Sequence, residues 1–232
     1  RQARIGELAM RAFGIGTNGV AAMTGPMYHS APNAYARLSM AVGNDIHLLA
    51  RFDPEELLQA IETHKISHMH VVPTMFVRML RLPEAVKAKY DLSSLVHVIH
   101  GAAPCPPDAK AAMIEWWGDV IFEYYGSTEA GIVSVATSAD AVAKPGTVGR
   151  PLDGTIVRVY DDDANELPHG ESGEIYMSMN DLSDFTYHNK DDKRVEIERE
   201  GLVTNGDVGY LDGDGYLFLN DRKRDMIISG GV

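Results

Sequence analysis

The chain has one cysteine, Cys105, in 232 residues. That excludes an intrachain disulfide framework and a four-cysteine zinc site, and it fits a reducing, cytoplasmic setting. Positive charge is scarce as well: 21 Lys and Arg against 33 Asp and Glu leave a net charge of −12. Affinity for a nucleic-acid backbone comes from clustered cations, so no nucleic-acid partner is expected. No apolar run reaches the length of a transmembrane helix, and no charged segment followed by an apolar stretch marks a leader. Neither an integral membrane segment nor a signal peptide is therefore expected.

What is present is the composition of a packed globular chain, 45% hydrophobic and 23% charged. Its length suits one large domain, or a medium domain with a small one. The chain opens on Arg1 and stops at Gly230-Gly231-Val232 inside a motif-like run, so a fragment is expected.

The first half alternates two periodicities. Ile5, Leu8, Ala9, Ala12 and Phe13 share a helical face, and Val20–Met23 reads as a buried strand. Residues 45–50 form a second strand pattern. Asp53-Pro54 then supplies an N-cap and a first helical residue, with Leu57, Leu58 and Ile61 as the apolar stripe. Further strands are expected at 68–72, 96–99 and 120–125, with helices at 74–82, stopped by Pro83, and at 107–117. This spacing predicts an α/β fold, a mostly parallel sheet with flanking helices. The character changes near 136–144. Beyond it come short alternating strands at 155–160 and 173–177, a turn at 161–165, and a hairpin around Asp212-Gly213-Asp214-Gly215. The expected division is an α/β subdomain over 1–137 and a smaller β-barrel-like subdomain over 138–223.

Several attractive patterns have plainer readings. Gly14, Gly16 and Gly19 spell G-x-G-x-x-G, but a dinucleotide fingerprint needs a strand before and a helix after, and here that order is reversed. A helix-to-strand loop is expected instead. The Asp212–Gly215 run lacks an oxygen ligand at its fifth position, Tyr216, and is expected to be a turn rather than a calcium loop. Asp161-Asp162-Asp163 reads as a solvated turn. His64, His68 and His70 lack a carboxylate or thiol to complete a zinc set and are expected in the core or at an edge. Cys105, between prolines and without a partner histidine, is not expected to be a nucleophile.

Three stretches call for more. Tyr124-Tyr125-Gly126-Ser127-Thr128-Glu129-Ala130-Gly131 stands at the carboxyl end of a strand, where ligands of α/β sheets bind. Its glycine admits close backbone approach, its hydroxyls can donate to phosphate oxygen, and its carboxylate can hold Mg²⁺; a helix-capping run is the plain alternative. His100-Gly101-Ala102-Ala103-Pro104 ends another strand in small residues that leave a flat slot for a planar ring, or simply make a tight turn. Thr204-Asn205-Gly206-Asp207 is followed by Asp221-Arg222-Lys223-Arg224-Asp225. There Asp207 could accept from a ribose diol and Arg222 could donate to the sugar or to phosphate.

With those residues goes a resemblance to the AMP-forming adenylate-forming superfamily: acyl-CoA synthetases, adenylation domains of peptide synthetases, and beetle luciferases. It is carried by Pro26-Met27-Tyr28-His29, Val72-Pro73-Thr74, Gly101 to Pro104, Tyr125 to Glu129 and Lys144-Pro145-Gly146-Thr147-Val148-Gly149-Arg150-Pro151. Gly173-Glu174-Ile175, Gly206-Asp207 and the run 221–231 complete it. The resemblance implies that Gly101, Ala102, Ala103, Pro104, Tyr124, Tyr125, Gly126, Ser127 and Leu219 surround the nucleotide. It further implies that Thr128 touches the α-phosphate, Glu129 binds Mg²⁺, and Asp207 with Arg222 holds the ribose. His29, Ile132 and Val133 would face the acyl substrate, and Arg224 would be the hinge, within 224–232, to a further domain. The family's Ser/Thr/Gly-rich phosphate loop, its C-terminal domain with the catalytic lysine, and the usual glycine-containing stretch after Gly-Glu-Ile have no counterpart here, although Phe185-Thr186-Tyr187-His188-Asn189 looks like the continuation of that last segment.

The activity so implied is a two-step ligation: a carboxylic acid and ATP give acyl-AMP and pyrophosphate, and the thiol of coenzyme A then takes the acyl group. The acid is expected to be fatty or otherwise hydrophobic. The chain alone is expected to bind ATP weakly and to turn over nothing. An adenylation domain that loads a carrier protein, and a non-catalytic nucleotide- or acyl-binding relic, are the alternatives; a homodimer is left open.

Overall fold

The computed structural model describes residues 13–180 and 185–222, together with Glu7 and Met10. The chain gathers into two compact units. One holds the described residues through Glu123 together with Thr137–Ala143; the other holds Tyr124–Ala136 and the described residues from Lys144 onward.

The first unit contains, in order, β1 (Val20–Met23), α1 (Ser30–Ala41), β2 (Asp45–Leu48), α2 (Pro54–His64), β3 (His68–Val71), α3 (Pro73–Leu80), α4 (Glu84–Lys87), β4 (His97–His100), α5 (Pro107–Trp117), the start of β5 (Ile121–Ser127), and α6 (Ser138–Ala143). Its strands lie in the order β2-β1-β3-β4-β5 and every pair is parallel. Parallel strands need crossovers and are covered on their faces, so they read as near-continuous apolar runs. That is why they were visible in the sequence.

Local chemistry sets the boundaries. Asp53 caps α2 by accepting from the backbone N–H groups of Glu55 and Glu56, at 3.0 and 3.1 Å, with Pro54 in the first turn. Lys65 ends it in the left-handed region at φ 51°. Leu57, Leu58 and Ile61 are fully buried, each contributing about 1.5–3 kcal/mol relative to exposure. They join Ile66, Met69, Val71, Phe76, Met79, Val98, Met113 and Ile121 in one core. The helix at 107–117 falls where its sequence places it, while α1 was not anticipated. The helical face expected from Ile5, Leu8, Ala9 and Ala12 lies outside the described residues; Phe13 is helical and Gly14 to Gly19 form the loop into β1.

That loop explains its glycines. A Cβ at Gly14 would sit 2.0 Å from the His97 ring, and one at Gly19 2.6 Å from Ser67 Oγ. The glycines are spent on packing against β3 and β4. His68 accepts the N–H of Gly16 and shares a hydrogen bond with Ser67, and His70 lies among Phe13 and Tyr35. These are core histidines: burial lowers His70 and His97 to about 4. His64 stacks on His47 at 4.2 Å.

The second unit takes the end of β5, then β6 (Gly131–Ala136), β7 (Arg150–Pro151), β8 (Thr155–Tyr160), β9 (Gly173–Met179), α7 (Asp191–Glu196), β10 (Glu198–Arg199), β11 (Leu202–Leu211) and β12 (Leu217–Arg222). Its main sheet runs β10-β11-β9-β8 with β12 on the flank of β11, antiparallel throughout. This is the curled, barrel-like β region expected, packed over Val133, Val148, Ile175, Met177, Val203 and Leu217. The Asp212–Gly215 run is the β11–β12 turn. Asp212 accepts from the N–H groups of Asp214 and Tyr216, and Lys144 Nζ donates to Asp212 and Asp214 at 2.7 and 2.6 Å. Lys144 thus answers the charge of the acidic turn. The rest of the 144–151 motif is architectural too. Thr147 Oγ1 donates to the Leu217 carbonyl at 2.9 Å, and a Cβ at Gly149 (φ 94°) would strike the Val135 carbonyl.

Candidate functional site

In the first unit, the segment 24–32 turns from β1 into α1. His29 closes a turn onto Pro26 and stands at the N-cap of α1. It lines a pocket of about 90 Å³ with Thr24, Pro26, Ala31, His70, Val71, Val72, Met75 and Ala102. Its Nε2 is buried without a hydrogen-bond partner, an uncommon state for a ring nitrogen and one that a ligand atom would relieve. Val72 and Pro73, from the second matching motif, start α3 and bring Val72 and Met75 into the same wall. Tyr28 is 81% exposed, outside that wall.

Gly101 to Pro104 leave β4 as a loop. Gly101 is buried, and Ala102 and Pro104 are exposed. Ala102 adopts φ 66°, a left-handed conformation that costs an alanine about 1–2 kcal/mol and persists only where the surroundings over-determine it. Cys105 next to it is not activated. Burial first, then the Glu123 carboxylate, push its thiol up to about 12.

In the second unit, β5 runs through Tyr124, Tyr125 and Gly126 to Ser127, and the chain turns through Thr128 to Ala130 into β6. The run caps no helix: Ser127 Oγ accepts the Ala130 N–H at 2.9 Å inside this turn. Gly126 is needed by the hairpin itself, since a Cβ there would lie 2.0 Å from the Gly131 carbonyl oxygen. Thr128 is exposed and Glu129 half-buried. Glu129 Oε1 accepts the Tyr187 hydroxyl at 2.8 Å. Burial and that carboxylate raise the Tyr187 phenol to about 12, so it remains a donor at neutral pH. Burial likewise raises the Tyr124 phenol. Tyr187 was singled out in the sequence only as part of a continuing segment; the 58 positions between it and Glu129 hide the pairing.

Asp207 comes from a separate strand of the same unit. Its strand, β11, is irregular there: Thr204 faces Tyr176 and Val208 faces Glu174, so four steps on β11 oppose two on β9. Such bulges re-aim side chains. Thr204 Oγ1 holds this one by accepting the Gly206 N–H and donating to Glu174. Asp207, 6% exposed, accepts the Tyr125 hydroxyl at 2.9 Å. Two sequence motifs 82 positions apart therefore meet through one hydrogen bond. Arg222 is the register partner of Asp207 on β12.

Two other expected residues stand in the core. Val133 is fully buried among Ile175, Met177 and Leu217, and Leu219 packs against the same cluster, so both serve the sheet's interior. Ile132, also buried, lies on the opposite face of β6 from Val133. Arg224 and the rest of 223–232 lie outside the described residues.

The model of the AMP-binding enzyme family matches residues 4–183. The chain belongs to that family. The chain is 34% identical over 209 residues to the long-chain-fatty-acid–CoA ligase of Bacillus subtilis (strain 168), covering 89% of itself and 37% of that protein. It is 34% identical over 213 residues to the feruloyl-CoA synthase of an Amycolatopsis species, at 91% and 43% coverage. Among solved structures it superposes on the amide bond synthetase McbA of Marinactinospora thermotolerans with a TM-score of 0.90 at 29% identity, covering 99% of itself and 46% of McbA. The chain thus spans less than half the length of these relatives.

The donor set is suited to magnesium. Among the described residues no three His, Cys, Asp or Glu side chains group to hold a metal. Mg²⁺ is bound through one or two carboxylates plus substrate phosphates, which a single oriented carboxylate such as Glu129 can serve. No helix among the described residues is long and apolar enough to cross a membrane.

Proposed function

We propose that the complete protein is an AMP-forming acyl-CoA synthetase of hydrophobic carboxylic acids. The observation that carries the nucleotide reading is the Tyr125–Asp207 hydrogen bond. It ties the tyrosine of one family motif, facing the nucleoside, to the carboxylate of another, placed to accept from a ribose hydroxyl. In this reading Tyr124 to Gly126 border the adenine, Arg222 assists Asp207, and Thr128 donates to the α-phosphate; the family resemblance also assigns Gly101 to Pro104 to the nucleotide. Bound Mg²⁺ would neutralise phosphate charge during attack by the acid's carboxylate, held by Glu129 in the orientation that Tyr187 fixes. These residues contribute position and electrostatics rather than a covalent intermediate. The apolar pocket walls Pro26, Ala31, Val71, Val72 and Met75 support a hydrophobic acyl group, with His29 Nε2 as its polar contact.

The thiol acceptor is supported by relatives named as CoA ligases, while the likeness to McbA supports a second reading with an amine acceptor. Acid-dependent exchange of pyrophosphate into ATP by the complete protein tests the first half-reaction. Glu129→Ala should lower it about 100-fold or more, and unchanged exchange in that variant removes the metal role. Supplying coenzyme A, simple amines or a carrier protein to the acyl-adenylate separates the acceptors.

A further inference from the structure

Behind the Gly101–Pro104 loop lies a cluster that the proposed reaction does not use. Lys110, on the first turns of α5, is 4% exposed, and Glu123, on β5, is 5% exposed; they form an ion pair. His100, the last residue of β4, is fully buried. It is the register partner of Glu123, its Nδ1 lies 3.8 Å from Glu123 Oε1, and its ring meets Phe76 edge-on at 5.0 Å. Neither ring nitrogen of His100 has a hydrogen-bond partner.

A buried ion pair is a poor way to gain stability, because desolvation offsets the attraction and apolar residues of equal volume often serve as well. What it supplies is a unique arrangement. His100 precedes the loop and Lys110 follows it; Glu123 pairs with Lys110 through its side chain and lies beside His100 in the register of β4 and β5. The loop between them carries the left-handed Ala102, whose conformation must be imposed from outside. We propose that Lys110, Glu123 and His100 form a clasp that holds the Gly101–Pro104 loop in its nucleotide-binding shape, making Lys110 and Glu123 positioning residues for ATP. The assignment of that loop to ATP rests on the function proposed above; the clasping of the loop does not.

The test uses the complete protein with both charges removed together, Lys110→Met with Glu123→Leu, so that no lone charge is left buried. Amide hydrogen exchange without nucleotide should be faster at Gly101, Ala102 and Ala103 by about tenfold or more. In pyrophosphate exchange, the KM for MgATP should rise about tenfold while the KM for the acid stays within about twofold. Met113→Ala, which opens the core under the same helix, should lower the thermal midpoint without either change, and Lys110→Arg, which keeps the cation, should stay near the parent. If the double variant does not fold, Glu123→Gln should give the same changes in smaller measure. Unchanged loop exchange in the charge-free variant overturns the clasp, as does an equal effect from Met113→Ala. Faster loop exchange with an unaltered MgATP KM overturns the link to ATP. Absence of any pyrophosphate exchange in the parent protein counts against the proposed function alone, and the amide measurement still decides the clasp.

Discussion

The carboxylates of the two units meet different donors. In the first, Glu123 faces an ammonium, and the negative charge is cancelled where it stands. In the second, Asp207 and Glu129 accept from the phenols Tyr125 and Tyr187. A phenol orients a carboxylate without neutralising it, since its own proton is held far above neutral pH. A carboxylate meant to support structure can be paired with a cation. A phenol donor aims the carboxylate it meets, which suits the sugar and metal roles proposed for Asp207 and Glu129.

That contrast can be broken most sharply at Lys110. Lys110→Met alone strands the Glu123 charge and should cost about 3–5 kcal/mol, read from chemical denaturation of the complete protein. Tyr125→Phe, which removes a neutral donor from a carboxylate, should cost less, about 1.5–3 kcal/mol. Equal losses would erase the distinction. Acid should find the same asymmetry. His70 and His97 titrate at about 4 when folded but near 6.5 when unfolded, so the unfolded chain takes up protons first as the pH drops. Each should remove about 1.4 kcal/mol per pH unit between roughly pH 6.5 and 4. Loss of structure in a pH titration should therefore start in the first unit, followed by hydrogen exchange at β3 and β4.

Smaller effects sharpen the role of charge in the second unit. Asp207→Asn keeps the shape and an acceptor for Tyr125 but loses the charge, and should raise the KM for MgATP about tenfold; a parent-like KM would mean that orientation alone suffices. Tyr187→Phe should be mildest. It should raise the Mg²⁺ concentration for half-maximal pyrophosphate exchange about two- to fivefold, with an unchanged thermal midpoint.

The parallel strands and α2 were legible because burial on both faces leaves apolar runs, and because Asp53-Pro54 states a helix start in two residues. α1 was hidden for the converse reason. The side chains it buries include Pro32, Ala36 and Ser39 beside Tyr35, so small and polar residues face inward and no apolar stripe appears. The loops bearing Ala102 and Glu129 could be placed at strand ends, since strand ends follow from the runs. Their supports could not. Lys110 and Glu123 meet because a helix returns over its own sheet, Tyr187 reaches Glu129 across 58 positions, and Asp207 is aimed by a bulge whose register depends on β9. Such pairings belong to topology, and no local spacing encodes them. Val133 was expected at the substrate from its place beside the Glu129 motif, and strand alternation packs it into the apolar cluster of the second unit.

Gly126 adds a warning for anyone comparing sequences. Its missing side chain is demanded by the opposing backbone of its own hairpin, before any nucleotide arrives. Finding glycine at this place in every relative would testify to how narrowly the two strands are spaced, and would say nothing about a ligand. A substitution there would swing Thr128 and Glu129 away on a widened turn, and a loss of the activity proposed for the complete protein would be easily mistaken for a lost contact to ATP.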